Sequence, residues 1–345
     1  MESVHGQRKN EHLALAELNY KKNPPVSSLD AVRIIHRPLP ETSQADVNLK
    51  VDNADFPWDY PFYIEAMTGG SAKTSEINTS LAAAAKATGV AMAVGSQSIA
   101  MKEPAQVAGF EAVRAANPNG FMMANIGAGH TVEHAQRAIE MLQANALEIH
   151  INAAQETVMP EGDTTFYWKD NIAKIKAAVD VPVIVKEVGF GMDAQSIAEL
   201  ADLGIEYVNI GGRSGTNFAE IEDRRNRENP YQYDFLYDWG QTTAESLLEA
   251  QLAPHHPTIM ATGGIQSPLD ILKAQVLGAE TVGVAGHFLH TLLKDGEAGL
   301  IAEITLWQRQ LRELYALVGA KNGSDLVHVP YVLSADLQNY LTQRR

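Results

Sequence analysis

The sequence predicts an α/β fold, a single (β/α)8 TIM barrel with an N-terminal extension and a long loop after strand six. Three observations support this. Eight short, almost continuously apolar runs recur along the chain, as expected of parallel strands buried on both faces. Each run is followed by a Gly- or Ser-rich turn and then by a helical pattern, and that alternation favours a parallel sheet. The 345 residues exceed the about 250 of a typical barrel by enough for an extension and one insertion.

The eight runs are Phe62–Ala66, Val90–Val94, Phe121–Asn125, Ala146–His150, Pro182–Lys186, Glu206–Ile210, Pro257–Thr262 and Thr281–Ala285. Between them, Asp193 can cap a helix whose inner face carries Ile197, Leu200 and Ala201. Ser267-Pro268-Leu269-Asp270 supplies an N-cap, a proline at the first helical position and an acid at the third. Ile301, Ile304, Leu311, Leu314 and Val318 mark a last helix over about Glu297–Val318. An open doubly wound sheet is the competing architecture, but no GxGxxG turn follows the first strand. We therefore expect one domain over 1–345, with 1–58 as a substrate-binding extension and 59–345 as the barrel.

Composition narrows the function. Twenty-seven Lys and Arg against 42 Asp and Glu give a net charge of −15, so nucleic acid is not an expected partner. There is no cysteine, which excludes disulfides, thiolate nucleophiles and Cys-ligated metal. No long apolar run and no secretory pattern are visible, and a cytoplasmic protein without membrane association is expected.

The chemistry should sit where the strands end. In barrels, the loops after strands seven and eight commonly cradle phosphate. Here they read Gly263-Gly264-Ile265-Gln266 and Ala285-Gly286-His287, and Ser267 opens a helix whose dipole favours an anion. Strand one ends in Ala66-Met67-Thr68-Gly69-Gly70, strand two in Gly95-Ser96-Gln97-Ser98, strand three at Asn125 and strand five at Lys186. These small or polar groups suit a flat heterocycle, and Lys186 could stabilise negative charge on it. Strand four delivers His150, Asn152, Gln155 and Glu156 within seven residues, and Glu156 could hold Mg²⁺. Arg8-Lys9-Asn10-Glu11-His12 gathers cations able to clamp a diphosphate. The insertion from Gly211 to about Tyr237 is placed to act as a lid over that face.

Taken together, Arg-Lys-x-Glu-His at 8–12, Met-Thr-Gly-Gly at 67–70 and His-x-Asn-x-x-Gln-Glu at 150–156 resemble the type 2 isopentenyl diphosphate isomerases, which use FMN on a (β/α)8 barrel. The resemblance covers nearly the whole chain. It implies FMN contacts from Ala66, Met67, Thr68, Ser96, Asn125, Lys186 and Thr216, with the FMN phosphate on Gly264, Ile265, Gln266, Ala285 and Gly286. Substrate would meet Arg8, Lys9, His12, Ser96, Gln97, Ser98, Asn152 and Gln155; Gln155 and His150 would serve catalysis and Glu156 would bind Mg²⁺. Two departures stand out, since some relatives carry Arg where this chain has Ser98 and Gln266.

The implied reaction interconverts isopentenyl and dimethylallyl diphosphate by a 1,3-allylic proton shift. Reduced FMN would act as acid and base, NADPH would serve only as reductant, and the protein would be a homo-oligomer, a tetramer or octamer. Two other readings compete. One is an FMN-dependent 2-hydroxy-acid oxidase or dehydrogenase, which would not need Arg8-Lys9 or Gln155-Glu156. The other is a non-enzymatic flavin- or phosphate-binding protein, which leaves the strand-four cluster unexplained.

Overall fold

A computed structural model describes residues 4–22, 24–226 and 231–345. Eight parallel strands close into a barrel in which each strand pairs with its neighbours in chain order. They are β1 (Phe62–Ile64), β2 (Ala91–Ala93), β3 (Met122–Gly127), β4 (Ala146–Ile151), β5 (Val183–Glu187), β6 (Tyr207–Asn209), β7 (Thr258–Ala261) and β8 (Thr281–Val284). The first and last pair in register at Tyr63 with Gly283, so closure rules out the open sheet. All eight apolar runs of the sequence become these strands, five of them shortened, while β3, β4 and β5 run on to Gly127, Ile151 and Glu187.

Strand alternation divides the barrel interior into layers. At the strand starts the interior is apolar: Ala91, Met123, Ala146, Ile184, Tyr207 and Met260 pack with Val51, Phe56 and Trp58. Phe56 meets Tyr207 edge-on at 4.6 Å, so the chain before β1 plugs the bottom of the barrel. Two residues further along, six of the eight strands turn polar at the inward position, at Glu65, Asn125, Glu148, Lys186, Asn209 and Thr262, all buried. A closed bottom and a polar upper layer leave the strand ends as the only open face of the interior.

The extension is more ordered than a polar tail. A helix, α1 (Val4–Lys22), lies across the open face and packs on the insertion after β6. Further on, Val32–Ile34 pairs antiparallel with Tyr331–Leu333, tying the extension to the far end of the chain. The capping signals behave as expected: Asp193 accepts from Ser196 N, and Ser267 accepts from Asp270 N.

The insertion from Gly211 to Tyr237 carries a helix, Phe218–Arg225, started by the Asn217 side chain. The apolar Ala219 and Ile221 on it are fully buried, which gives this segment a packed face. Its residues 227–230 lie outside the described residues. The last helix runs to Val318 as expected from Glu297 onward; a further helical stretch from Gly286 precedes it, and the two are separated by a kink at Gly296, whose φ of 73° interrupts the helical path.

Candidate active site

Two cavities open on the strand ends and merge over Ala66, Met67, Lys186, Val188 and Phe218, which line both. The first is lined by backbone. Gly263 and Gly264 follow β7 with φ of 109° and 71°, values that side chains rarely adopt. A Cβ on Gly263 would stand 2.0 Å from Gly212 O, and one on Gly264 2.5 Å from Ser214 Cβ. Bare backbone is therefore required here, and Ile265, Ala285, Gly286 and Thr216 complete the wall. The helix beginning at Gly286 has no side-chain cap, so its first amides face the cavity, an arrangement that attracts phosphate.

Gln266 lines the same cavity and has further contacts. Its N–H donates to Asp270 at 2.9 Å, and its side-chain oxygen accepts from Tyr20 at 2.7 Å. It therefore anchors α1 to the loop after β7.

Under the junction of the cavities lies a buried charged layer. Lys186 Nζ is 3.3 Å from Glu65 Oε1, and Glu65 Oε2 accepts from Tyr63 and Asn209, each at 2.8 Å. Burial disfavours the Lys186 charge, yet Glu65 and Glu148 outweigh it and raise the amine's pKa. Glu148 moves away from ionisation: burial, then the charge of Glu65, pushes its carboxyl well above the usual range. Asn125 donates to Glu148 Oε2 at 2.7 Å, and its own oxygen lies 2.8 Å from His150 Nδ1. That contact assigns the proton to Nδ1 and leaves Nε2 as an acceptor. Burial, then Lys9, drops His150 to about 3, so the ring is neutral.

The second cavity is polar. A short helix over Ala153–Val158 follows β4, started by Asn152, whose oxygen accepts from Gln155 N at 2.8 Å. The Asn152 amide also donates to Val188 O at 2.8 Å and reaches Gln155 Oε1 at 3.2 Å, so Asn152 holds Gln155 in place. Gln155 then donates to Glu222 Oε1 at 3.0 Å. Glu222 is fully buried, also touches Arg225, and lies 2.8 Å from His12 Nε2. Burial would raise this carboxyl, but the contacts with His12, Arg225 and Gln155 win and hold it at about 2. Arg8 pairs with Glu161 at 2.9 Å. Lys9 lines the cavity, and burial, then Arg8, lowers its amine to about 8.

The structure thus brings Arg8, Lys9, His12, Ser96, Ser98, Asn125, His150, Asn152, Gln155 and Glu156 around one cavity. Gln97 is not among them: it is fully buried, donates to Ala138 O at 3.0 Å and accepts from Asn125 N at 3.0 Å. Its place is in the barrel wall. Thr68 is also buried, and its hydroxyl has no partner among the described residues.

Sequence reasoning missed Glu65, Glu148 and Glu222. The first two carried a signal, since each is a carboxylate inside an apolar strand with the parity of a mouth residue. Glu222 carried none within the charge-dense 220–228 stretch, because only its burial distinguishes it.

A backbone phosphate cradle at β7 and β8, joined over a buried lysine to a second polar cavity, defines a phosphate-binding barrel enzyme of the flavin-dependent kind. Residues 110–329 match the family described as FMN-dependent dehydrogenase. A mandelate oxidase crystallised with benzaldehyde superposes with a TM-score of 0.64 at 17% identity, covering 95% of both chains, which shows the shared fold. The chain is 48% identical over 343 residues to the isopentenyl-diphosphate delta-isomerase of Latilactobacillus sakei subsp. sakei, covering 99% of this chain and 97% of that one. It is 45% identical over 339 residues to the enzyme of that name from a Streptomyces species, covering 98% and 92%. The chain belongs to the isopentenyl-diphosphate delta-isomerase family.

Proposed function

We propose that this chain converts isopentenyl diphosphate to dimethylallyl diphosphate, with FMN in the glycine-lined cavity and the substrate in the polar one. The observation carrying this is the shared wall at Ala66, Met67, Lys186, Val188 and Phe218, which sets two anion sites side by side on one barrel face. FMN fits the first cavity: Gly263 and Gly264 tolerate no Cβ, which suits close approach of a phosphate. Lys186 and Asn125 provide polar groups for the ring, and Thr68, buried and lining neither cavity, is assigned to it on the resemblance alone. Ala66, Met67, Ser96 and Thr216 would complete its contacts. FMN in its reduced state supplies the acid–base chemistry that an unactivated alkene requires.

The chain's own residues position and shield. Lys186 offers a cation that Glu65 keeps charged, suited to an electron-rich ring. Gln155, held by Asn152 and Glu222, orients the substrate's carbon chain, and neutral His150 presents Nε2 as an acceptor. Arg8 and Lys9, with His12 behind them, meet the diphosphate. Glu156 and Asp163 line the same cavity, and one or two carboxylates with phosphate oxygens are what Mg²⁺ takes. Glu156 is therefore assigned to Mg²⁺. NADPH serves as reductant of the flavin, the protein is cytoplasmic, and it assembles as a homo-oligomer, tetramer or octamer. Among the described residues no helix is long and apolar enough to cross a membrane.

The test is anaerobic incubation with FMN, NADPH, Mg²⁺ and isopentenyl diphosphate in D2O. Deuterated dimethylallyl diphosphate without stoichiometric NADPH loss supports the proposal. NADPH consumption tied to product would instead indicate an oxidoreductase, the reading that the mandelate oxidase fold keeps open.

A further inference from the structure

Ser98 begins a five-residue helix, Ser98–Lys102, on the loop after β2. Residues four apart in a helix share a face, and both Ser98 and Lys102 line the polar cavity that also holds Arg8 and Lys9. Lys102 is exposed at the mouth and makes no ion pair among the described residues. Arg8, by contrast, is held by Glu161 and Lys186 by Glu65. Ser98 is not idle either. Its hydroxyl lies 2.7 Å from that of Ser96 and 2.6 Å from His130 Nε2, while His130 Nδ1 meets His134 at 3.1 Å. One wall of the cavity is therefore a connected row of polar hydrogens ending beside an uncommitted cation. Glu156 and Asp163 line the same cavity, so a bare anion meets charge of both signs, whereas a diphosphate carrying a divalent cation satisfies both.

We propose that Lys102 is a specificity-determining residue that contacts the diphosphate end of the substrate, supplying from the next turn the cation that Ser98 does not provide. His130 is a positioning residue in this scheme: it fixes the Ser98 hydroxyl so that Ser96 and Ser98 face the anion. The proposal rests on the isomerase reading, and the site then grips the diphosphate from two sides, with Arg8 and Lys9 on one and Lys102 on the other.

The experiment compares Lys102→Ala, Lys102→Glu and Lys102→Arg in the FMN-loaded protein, with Lys321→Ala as a charge-matched surface control. Two quantities are read: KM and kcat for isopentenyl diphosphate, and calorimetric affinity for inorganic diphosphate with Mg²⁺. Lys102→Ala is expected to raise both KM and the diphosphate Kd about five- to tenfold, the size of one charge-assisted contact, with kcat within about twofold. Lys102→Glu should weaken both further, and Lys102→Arg should restore them. The control should change neither. Unaltered diphosphate affinity in Lys102→Ala, or equal losses in Lys102→Ala and Lys321→Ala, overturns the proposal. Because the calorimetry needs no turnover, a parent protein that fails to isomerise the substrate while losing diphosphate affinity on Lys102→Ala would refute the isomerase reading alone.

Discussion

Gln155, from the loop after β4, donates to Glu222, from the insertion after β6, at 3.0 Å, and the same carboxylate is held by Arg225 and lies 2.8 Å from His12. Three segments far apart in sequence are thereby locked above the barrel mouth around one buried negative charge. Orientation of a reacting group by such a fixed partner is worth more than its single hydrogen bond, because misplacement costs rate steeply.

Glu222→Ala should therefore damage both fold and function. It leaves Arg225 half-buried without its main partner, a change that typically costs about 3–5 kcal/mol. Urea denaturation should show a loss of that order, and kcat should fall about 100-fold or more. Since Glu222 is held at about 2, its contribution is full above the usual carboxylate range and fades as pH falls from about 4.5 towards 2. The parent should lose this stability over that acid window and the variant should not.

Gln155→Ala separates positioning from cofactor binding. The Gln155 side chain lines only the polar cavity, so bound FMN should remain stoichiometric while turnover falls about 100-fold. Absorbance of the bound flavin beside steady-state rates checks this. Lost flavin would place Gln155 against the cofactor instead.

Gly264→Ala probes the cradle. With φ at 71° and a new Cβ 2.5 Å from Ser214 Cβ, the loop must move, and FMN affinity should drop at least about tenfold. Titration of the apoprotein with FMN gives the answer, and circular dichroism verifies that the barrel persists.

The buried layer predicts a contrast between neighbours. Burial and the charge of Glu65 favour the protonated form of Glu148, so Glu148→Gln should cost less than about 1.5 kcal/mol in urea denaturation. Lys186→Met strands Glu65 without its cation and should cost about 3 kcal/mol or more. Comparable losses in the two variants would mean that Glu148 is ionised.

Lys9 sets a pH dependence. Its amine titrates near 8 because burial and then Arg8 disfavour its charge. Only the charged form attracts diphosphate, so affinity is full below 8 and falls as pH rises above it, by up to about tenfold per unit. The KM for isopentenyl diphosphate measured from pH 7 to 9.5 should bend near 8. Lys9→Arg, which stays charged, should flatten the bend.

Much of this was legible in the residues themselves. Short, almost continuous apolar runs marked all eight strands because a buried strand must be apolar wherever it faces helices. The anion cradle was legible too, since the paired glycines at 263 and 264 meet a backbone requirement that no other residue satisfies. His150, Asn152, Gln155 and Glu156 stood out because four polar groups rarely leave one strand end without a use. Their division of labour was not visible: Asn152 turned out to cap a helix and brace Gln155, and Gln97 to fill the wall.

The sequence by itself determined the eight strands, the phosphate loops and the residues grouped at each strand end, because these follow from local pattern and backbone geometry, while closure of the sheet needed the pairing of its first and last strands. Only the tertiary structure decided which charges are buried together. Glu222 looks like any other acid in its charge-dense stretch until distant segments close over it and exclude water. Burial then raises the cost of an unmatched charge, and the Glu222 carboxyl is held low by His12 and Arg225 while that of Glu148, beside Glu65, is pushed well up.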